Sequence, residues 1–401
     1  MRVTSTPIIT SELPATADLV IVGGGIVGAA TAFFAARAGL RAVVVETRPA
    51  LASLTTPAAT GAFRAQFDNL EEMGLVREGI ALFTRFGEVV GLPDYDIGLR
   101  QQGYLWLATR DETVRRQREL VARQHAWGLD DVEWLDGDEA RRRFPYLAPG
   151  VRGARFRAGD GWLDPRRLAM GYAAASGARF VPATAVTGLH LAGGRVGAVR
   201  TTRGVVATPR VVIAAGPFSR AVAALAGVEV PLAFVRRQRV VLPEAPEVPP
   251  DAPMTIDEET GAHWRPALAG AHLMWTTPTE PPGPPLDDVP ASYAFAFGLL
   301  DPASEHAVAR ISPFWRAVWE RHTAHWFVIA GQYSYSPDHR PLLGATPVEG
   351  LYINCGYSGH GIMASAGGSR IVVDEMRGAL ANEANPFRLG RPLVERELDV
   401  L

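Results

Sequence analysis

The sequence predicts an α/β fold, α+β overall, that opens on a Rossmann-like dinucleotide-binding unit. Three observations predict it. Asp18-Leu-Val-Ile-Val22 is a short apolar run of the kind that forms a buried parallel strand. Gly23-Gly-Gly-Ile-Val-Gly28 follows at once. An Ala-rich helical stretch then runs to Arg37, stops at Gly39, and leads into a second apolar run, Leu40-Arg-Ala-Val-Val-Val45, that closes on Glu46. Together these segments make a complete βαβ unit.

Each glycine of the loop has its own task. The strand ends at Gly23, where a missing side chain permits the tight turn. Gly25 lets the backbone approach a pyrophosphate, and Gly28 lets the helix pack on the strand. The helix start at Ile26 and Val27 offers N–H groups and a positive dipole end to phosphates. Glu46 lies 23 residues after Gly23 at the end of the second strand. A carboxylate there accepts both hydroxyls of an adenosine ribose and repels a 2′-phosphate, which argues against NADP. The motif alone does not separate NAD from FAD. FAD is favoured because the motif occurs once, near the N-terminus, and because a Thr/Ala/Gly-rich stretch, Ser53–Gly61, suits a long ligand. A later strand–glycine loop–helix supplies a second helix N-terminus.

That later unit is Leu351-Tyr-Ile-Asn-Cys355, then Gly356-Tyr-Ser-Gly-His-Gly361 and a helix to about Arg377. Between the two units, Arg195–Gly216 reads as a strand, a turn at Arg203-Gly204, and further strands ending in Val211-Val-Ile-Ala-Ala-Gly216. Asp111–Arg123 reads as a solvated helix, and the Pro-rich stretches Pro243–Pro253 and Pro278–Pro290 as surface loops.

At 401 residues the chain is long enough for two domains. A net charge of −2 gives no electrostatic case for nucleic acid or an anionic membrane. All 40 basic residues are arginine, so no lysine chemistry is available. Cys355 is the only cysteine, which excludes an internal disulfide and fits a reducing cytoplasm. Residues 1–17 do not read as a signal peptide, and no apolar run is long enough to span a bilayer. No metal cluster and no Ser-His-Asp arrangement stands out in the sequence.

The chain resembles the D-amino-acid oxidase superfamily of flavoproteins, and within it the sarcosine oxidases, glycine oxidases and related amino-acid dehydrogenases. The resemblance rests on Val20–Gly28 with Glu46, on Gly61-Ala-Phe-Arg64-Ala-Gln-Phe67, and on Gly103-Tyr-Leu-Trp-Leu-Ala108. It continues through Gly161-Trp-Leu-Asp-Pro165, Val211–Pro217, Ser336-Pro-Asp-His-Arg-Pro341 with Gly344, and Gly356–Gly361. It implies an interleaved architecture. An FAD domain would draw on 1–98, 152–228 and 329–385. A mainly antiparallel substrate domain would draw on 99–151 and 229–328, with 386–401 as a C-terminal tail.

The resemblance extends the cofactor-contacting set to Thr47, Arg48, Thr55, Thr56, Gly61, Ala62, Val186, Ala215, Gly216, Gly331, Ser358, Gly359, His360, Gly361 and Ile362. It also implies non-covalent FAD. The cysteine that carries FAD in some relatives falls on Gly331 here, and the histidine that others use falls in a segment of Ala and Thr. Sarcosine oxidases bind the substrate carboxylate with a lysine where this chain has Met363 and with an arginine near Phe67. Their oxygen-activating lysine falls in Ala271–Thr276, where this chain has none.

For the substrate site the resemblance offers five residues. Arg64 either holds negative charge on flavin or substrate, or bridges a loop to the pyrophosphate. Tyr333 is either a substrate-site tyrosine or a core tyrosine. His263 or Trp264 walls the pocket and Arg265 pairs with a carboxylate, unless these strand residues face solvent or core. The implied reaction is oxidation of a small amino acid or N-alkyl amino acid by hydride transfer to flavin N5, giving an imine that hydrolyses. Two alternatives stay open: a 2-hydroxy-acid oxidoreductase, and an FAD-holding subunit or assembly protein of a larger complex. The electron acceptor would be oxygen, a quinone or a protein, and the chain would act as a homo-oligomer or within a heteromeric complex. The missing lysine favours a dehydrogenase.

Overall fold

A computed structural model describes residues 6–276, 280–321 and 325–394. Pro278, the first five residues of the N-terminal segment and 395–401 of the expected tail lie outside the described residues. Two large sheets organise the chain. The first has seven strands in the order Ile8–Ile9, Arg179–Val181, Ala42–Val45, Leu19–Val22, Val211–Ile213, Leu351–Cys355 and Leu342–Ala345. Every neighbouring pair is parallel except the last, which is antiparallel. Its central strands are buried on both faces, which explains why they read as unbroken Val/Ile/Leu runs rather than as alternating ones.

The helix Ile26–Arg37 packs on one face of this sheet, between the helices Pro165–Ser176 and Gly361–Met376. Half of its twelve residues are Ala or Gly, small enough for a helix that is covered on several sides. The other face is closed by a three-stranded sheet, Val186–Ala192, Arg195–Thr201 and Gly204–Ala207. The strand order reverses at Leu19–Val22, whose neighbours Ala42–Val45 and Val211–Ile213 lead to opposite sides of the sheet. In an open parallel sheet the crevice beyond the carboxyl ends at such a point is where ligands bind.

The second sheet has eight strands in the order Phe327–Tyr335, Ala233–Leu242, Gly270–Trp275, Ala262–Ala267, Met254–Asp257, Tyr104–Ala108, Gly153–Arg157 and Glu133–Asp136. It is antiparallel except where Met254–Asp257 runs parallel to Tyr104–Ala108. Phe327–Tyr335 pairs along its whole length with Ala233–Leu242, and Gly153–Arg157 pairs with Tyr104–Ala108. Membership of this sheet therefore runs across the boundaries expected at 152 and 329. The expected charged helix is present as Asp111–Ala126, with Leu120, Val121 and Gln124 turned inward.

Register decides what each face of the second sheet presents. Trp106, Ile256, His263, Met274 and Arg239 are successive partners across five strands, so their side chains share one face. One residue along, Leu105, Thr255, Trp264, Leu273 and Val240 form the row on the opposite face. The first row faces the loops of the dinucleotide-binding half. Trp264, Leu273 and Val240 of the second row pack with the helices Tyr293–Leu300 and Trp315–Glu320 in a separate apolar core, and Leu105 joins another.

Two buried arginines join the halves. Arg239 donates to the carbonyls of Pro57, at 3.1 Å, and of Ala59. Arg265 donates to the Thr60 carbonyl at 2.7 and 3.1 Å. Burial and mutual repulsion push the Arg265 guanidinium down to about 9, and burial pushes Arg239 down to about 10. Both stay charged at neutral pH, and both are consumed by backbone oxygens of the segment between the two sheets.

Candidate cofactor and substrate cavities

A cavity of about 510 Å³ opens where the first sheet reverses its strand order. That size lies within the range of cofactor sites. At one end it is lined by Glu46, Thr47 and Arg48, and along its floor by Gly23, Gly25, Ile26, Val27, Thr55 and Thr56. Val186, Ala215 and Gly216 form a wall, and Ser358, Gly359, Gly361, Ile362 and Tyr333 close the far end.

The three motif glycines differ in what surrounds them. A Cβ on Gly28 would stand 1.9 Å from the Gly23 carbonyl oxygen, and one on Gly23 would stand 2.4 Å from that of Ala214. Those two positions are filled by protein backbone. A Cβ on Gly25 would meet only the Thr56 hydroxyl, at 3.4 Å, so the space there is left for a ligand. The helix N-terminus behind it carries no side-chain cap on Gly25, although the Ile26 N–H donates to Thr56 Oγ1 at 3.1 Å.

The Glu46 carboxylate is held on both oxygens. Oε2 accepts the Gly24 N–H at 2.6 Å and Oε1 accepts the Arg48 N–H at 2.7 Å. Each oxygen keeps a second lone pair for a ribose hydroxyl. The Thr55 hydroxyl is buried without a partner among the described residues and lines the same cavity. A glycine cradle, an orphaned hydroxyl, an anchored acid and the N-termini of Ile26–Arg37 and Gly361–Met376 on one cavity fit an elongated, anionic dinucleotide such as FAD.

Some expected contacts lie elsewhere. Gly28 is enclosed by backbone, and Gly331 packs on Ala58, whose Cβ would be 2.9 Å from an added one. His360 is buried behind the glycine loop, edge-on to Phe67 at 4.9 Å and 3.6 Å from Glu72. Gly61 and Ala62 line a second, smaller cavity instead.

This second cavity, about 30 Å³, shares Ala59, Tyr333, Gly359 and Ile362 with the first. Arg64, Tyr104, His263 and Thr276 supply its polar groups, and Ile256, Met274 and Met363 its apolar walls. Space of that size holds about two waters. Of the five substrate-site candidates, Arg64, Tyr333 and His263 meet here.

Trp264 does not join them. It points to the opposite face of the sheet, fully buried against Tyr146, Phe314 and Trp315, with its indole N–H donated to Ser312 at 3.1 Å. In an extended strand two adjacent residues cannot wall the same pocket. Arg265 shares the His263 face but is bonded to Thr60 and Pro266 carbonyls and stacked on Trp162, so it is not free to take a carboxylate. Tyr104 and Ile256 were not expected as cavity residues, whereas Met363, Met274 and Thr276 fall where the resemblance places lysines of the sarcosine oxidases. Tyr104 was findable, because alternation in Gly103–Ala108 sets Tyr104 and Trp106 on one face and Leu105 and Leu107 on the other.

Arg64 is 2% exposed. Its guanidinium lies over the rings of Phe67, at 4.7 Å, and Trp106, at 5.3 Å, and its Nε has no hydrogen-bond partner among the described residues. Among the described residues no carboxylate pairs with it. Burial pushes the neighbouring Tyr104 hydroxyl up to about 12, against the pull of Arg64, so Tyr104 remains a neutral donor. His263 donates its Nδ1 proton to the Gly261 carbonyl at 2.9 Å, which leaves Nε2 as the acceptor. Burial, with the Arg64 charge, lowers His263 from 6.5 to about 4. The ring is neutral at pH 7.

The sequence matches the family of FAD-dependent oxidoreductases over residues 18–375. It is 28% identical over 373 residues to the mitochondrial sarcosine dehydrogenase of Mus musculus, an alignment that covers 89% of this chain and 39% of that protein. The chain thus spans about two fifths of the length of the first curated relatives it matches. It is 27% identical over 390 residues to sarcosine oxidase subunit beta of an Arthrobacter species, covering 93% of this chain and 90% of the other. Among solved structures, glycine oxidase from Geobacillus kaustophilus superposes with a TM-score of 0.80 at 26% identity, over 95% of this chain and 100% of the other. Among the described residues no helix is long and apolar enough to cross a membrane, and no group of three His, Cys, Asp or Glu is placed to hold a metal.

Two predictions come from this geometry. Acid precipitation of the FAD-loaded protein should release all the flavin into the supernatant, and Glu46→Ala should weaken FAD binding at least about tenfold, the worth of one charged hydrogen bond. Flavin retained in the pellet, or unchanged affinity, would count against these assignments. The second concerns pH. His263 is held neutral with a lowered value, so its contribution to stability is complete above about pH 6.5 and is lost as pH falls towards about 4. His263→Phe should flatten the fall in Tm between those two pH values, and an unaltered Tm–pH profile would contradict the buried neutral ring.

Proposed function

We propose that this chain, which belongs to the FAD-dependent oxidoreductase family, oxidises a small amino acid or N-alkyl amino acid beside its nitrogen. The observation that carries the proposal is Arg64. A guanidinium that is 2% exposed, stacked on two rings and without a carboxylate against it, is a receptor for an anion. The small cavity beside it, about 30 Å³, favours a compact substrate.

The chain's own groups divide the work. Arg64 holds the substrate carboxylate, with the Tyr104 hydroxyl as a second donor. His263 Nε2 accepts a hydrogen bond from the amine and so orients its nitrogen. Ile256, Met274 and Met363 keep water from the reacting carbon. Tyr333, common to both cavities, stands at the junction of substrate and cofactor. FAD bound in the larger cavity supplies a two-electron acceptor, and the imine left on the substrate is hydrolysed by water. The likeness to sarcosine dehydrogenase, sarcosine oxidase subunit beta and glycine oxidase supports amines as the substrate class.

Two further parts of the reading concern electrons and partners. The chain contains no lysine, and Arg239 and Arg265, which share the His263 face, are bonded to backbone oxygens. No point charge is left over to stabilise superoxide in a dry site, which favours an acceptor other than oxygen. Similarity to a protein named as a beta subunit supports work within a heteromeric assembly.

One experiment tests the reaction class and the acceptor together. FAD-loaded protein is mixed anaerobically with panels of amino acids, N-methyl amino acids and 2-hydroxy acids, and then air is admitted. Bleaching by amines, followed by slow reoxidation but rapid turnover with an artificial acceptor, is the expected result. Bleaching by 2-hydroxy acids alone overturns the substrate class. Bleaching by none points to a non-catalytic subunit, and fast reoxidation with stoichiometric peroxide makes the protein an oxidase.

A further inference from the structure

Asp160 is fully buried and lies outside both cavities. It belongs to the turn that leads into the strand Gly161–Trp162, which pairs antiparallel with Ala62–Phe63. The register Phe63↔Gly161 sets Asp160 opposite Arg64, just where the two-residue ladder ends. Past that point backbone pairing is replaced by the carboxylate. Oδ1 accepts the Ala65 N–H at 2.9 Å, and Oδ2 accepts the Gln66 side-chain amide at 2.9 Å. Gln66 Nε2 also donates to the Tyr104 carbonyl at 3.3 Å.

The Ala65 N–H belongs to the peptide that leaves Arg64, so its direction fixes ψ of Arg64. Once ψ is fixed, the direction in which the side chain leaves the backbone is fixed too. Among the described residues no ion pair steers the Arg64 guanidinium, which stacks on Phe67 and Trp106 beside the Tyr104 hydroxyl. The carboxylate does not compete with the substrate for Arg64, because its own ion pair is with Arg157, which also binds Asp131. Asp160 thus supplies negative charge near the cavity without taking up an Arg64 donor.

We propose that Asp160 is a positioning residue for substrate carboxylate recognition: through the Ala65 N–H and the Gln66 amide it sets where the Arg64 guanidinium stands in the small cavity. The proposal rests on the reading of Arg64 as the carboxylate receptor and names the residue that makes that receptor specific in direction.

The test uses FAD-loaded protein and acetate as the probe, with acetamide as the neutral control. Binding is read from the change in flavin absorbance and from the Tm shift at saturating probe. Asp160→Asn keeps the shape but turns one acceptor into a donor facing the Gln66 amide or the Ala65 N–H. It should raise the acetate Kd at least tenfold, raise KM for the best amino-acid substrate in parallel, and change kcat less than threefold. Acetamide should bind neither protein measurably. A lower Tm with an unchanged acetate Kd would assign Asp160 a structural role alone and overturn the proposal. Where Asp160→Asn does not accumulate as folded holoprotein, Gln66→Leu removes the contact to Oδ2, together with the longer one to the Tyr104 carbonyl, and leaves the Ala65 N–H contact in place. It should raise the acetate Kd at least threefold, and no change overturns the proposal. Arg64→Ala runs alongside. If it leaves acetate binding intact, the Arg64 reading itself falls; if it abolishes binding while Asp160→Asn and Gln66→Leu do not, only the role of Asp160 falls.

Discussion

A cation buried without a counter-ion is costly, and the substrate half of this molecule is arranged around one. Several kcal/mol of solvation are lost when a guanidinium leaves water. At Arg64 the cost is offset in part by the faces of Phe67 and Trp106. Its Nε has no hydrogen-bond partner among the described residues. An anion that enters the small cavity therefore gains what the fold has left unsatisfied. The neighbouring neutral His263, with its lone pair on Nε2, suits a zwitterion's other end. A charged histidine at that position would repel an amine, and burial prevents it from charging above about pH 4.

The two halves must hold this arrangement at fixed separation, because the small cavity is walled by both. Arg64 and Ala62 come from the loops of the first sheet, His263 and Met274 from the second, and Gly359 and Ile362 from the C-terminal loop and helix. Arg239 and Arg265 fix the spacing by gripping the carbonyls of Pro57, Ala59 and Thr60. On the other side, the Ser358 N–H donates to the Ser334 carbonyl at 3.0 Å and ties the glycine loop to the strand that carries Tyr333. Ser358 holds a left-handed backbone, φ 50°, to make that turn, a conformation that costs a non-glycine residue and persists because the surroundings enforce it.

The cofactor half was legible in the sequence because its determinants are local. Glycine spacing, an apolar strand on either side and an acid at the second strand end all lie between Asp18 and Glu46, and each constrains the backbone within a few residues. The substrate half was only partly legible, because its determinants lie in cross-strand register. His263 and Trp264 are adjacent in sequence and equally aromatic, and period-two geometry sends one to the cavity and the other to a core of Tyr146, Phe314 and Trp315. Arg265 looked like a carboxylate receptor because nothing in its own strand reveals that Thr60, distant in sequence, supplies a carbonyl to it. Arg64 was identified through resemblance, with two roles open. Its lack of a counter-ion among the described residues supports the proposed carboxylate role, and only the packed structure displays that. Asp160 sits in a Gly-Asp-Gly-Trp turn whose sequence gives no hint of a link to Arg64.

The central claim is that the substrate's carboxylate is read by Arg64, and a coupling measurement tests it most directly. The apparent Kd for anaerobic flavin reduction is determined for the best amino-acid substrate and for its primary amide, each with the wild-type protein and with Arg64→Gln. The account predicts that the amide binds at least tenfold more weakly than the acid to the wild type, and that this preference shrinks to less than threefold in the variant. An equal preference for the acid in both proteins would contradict it.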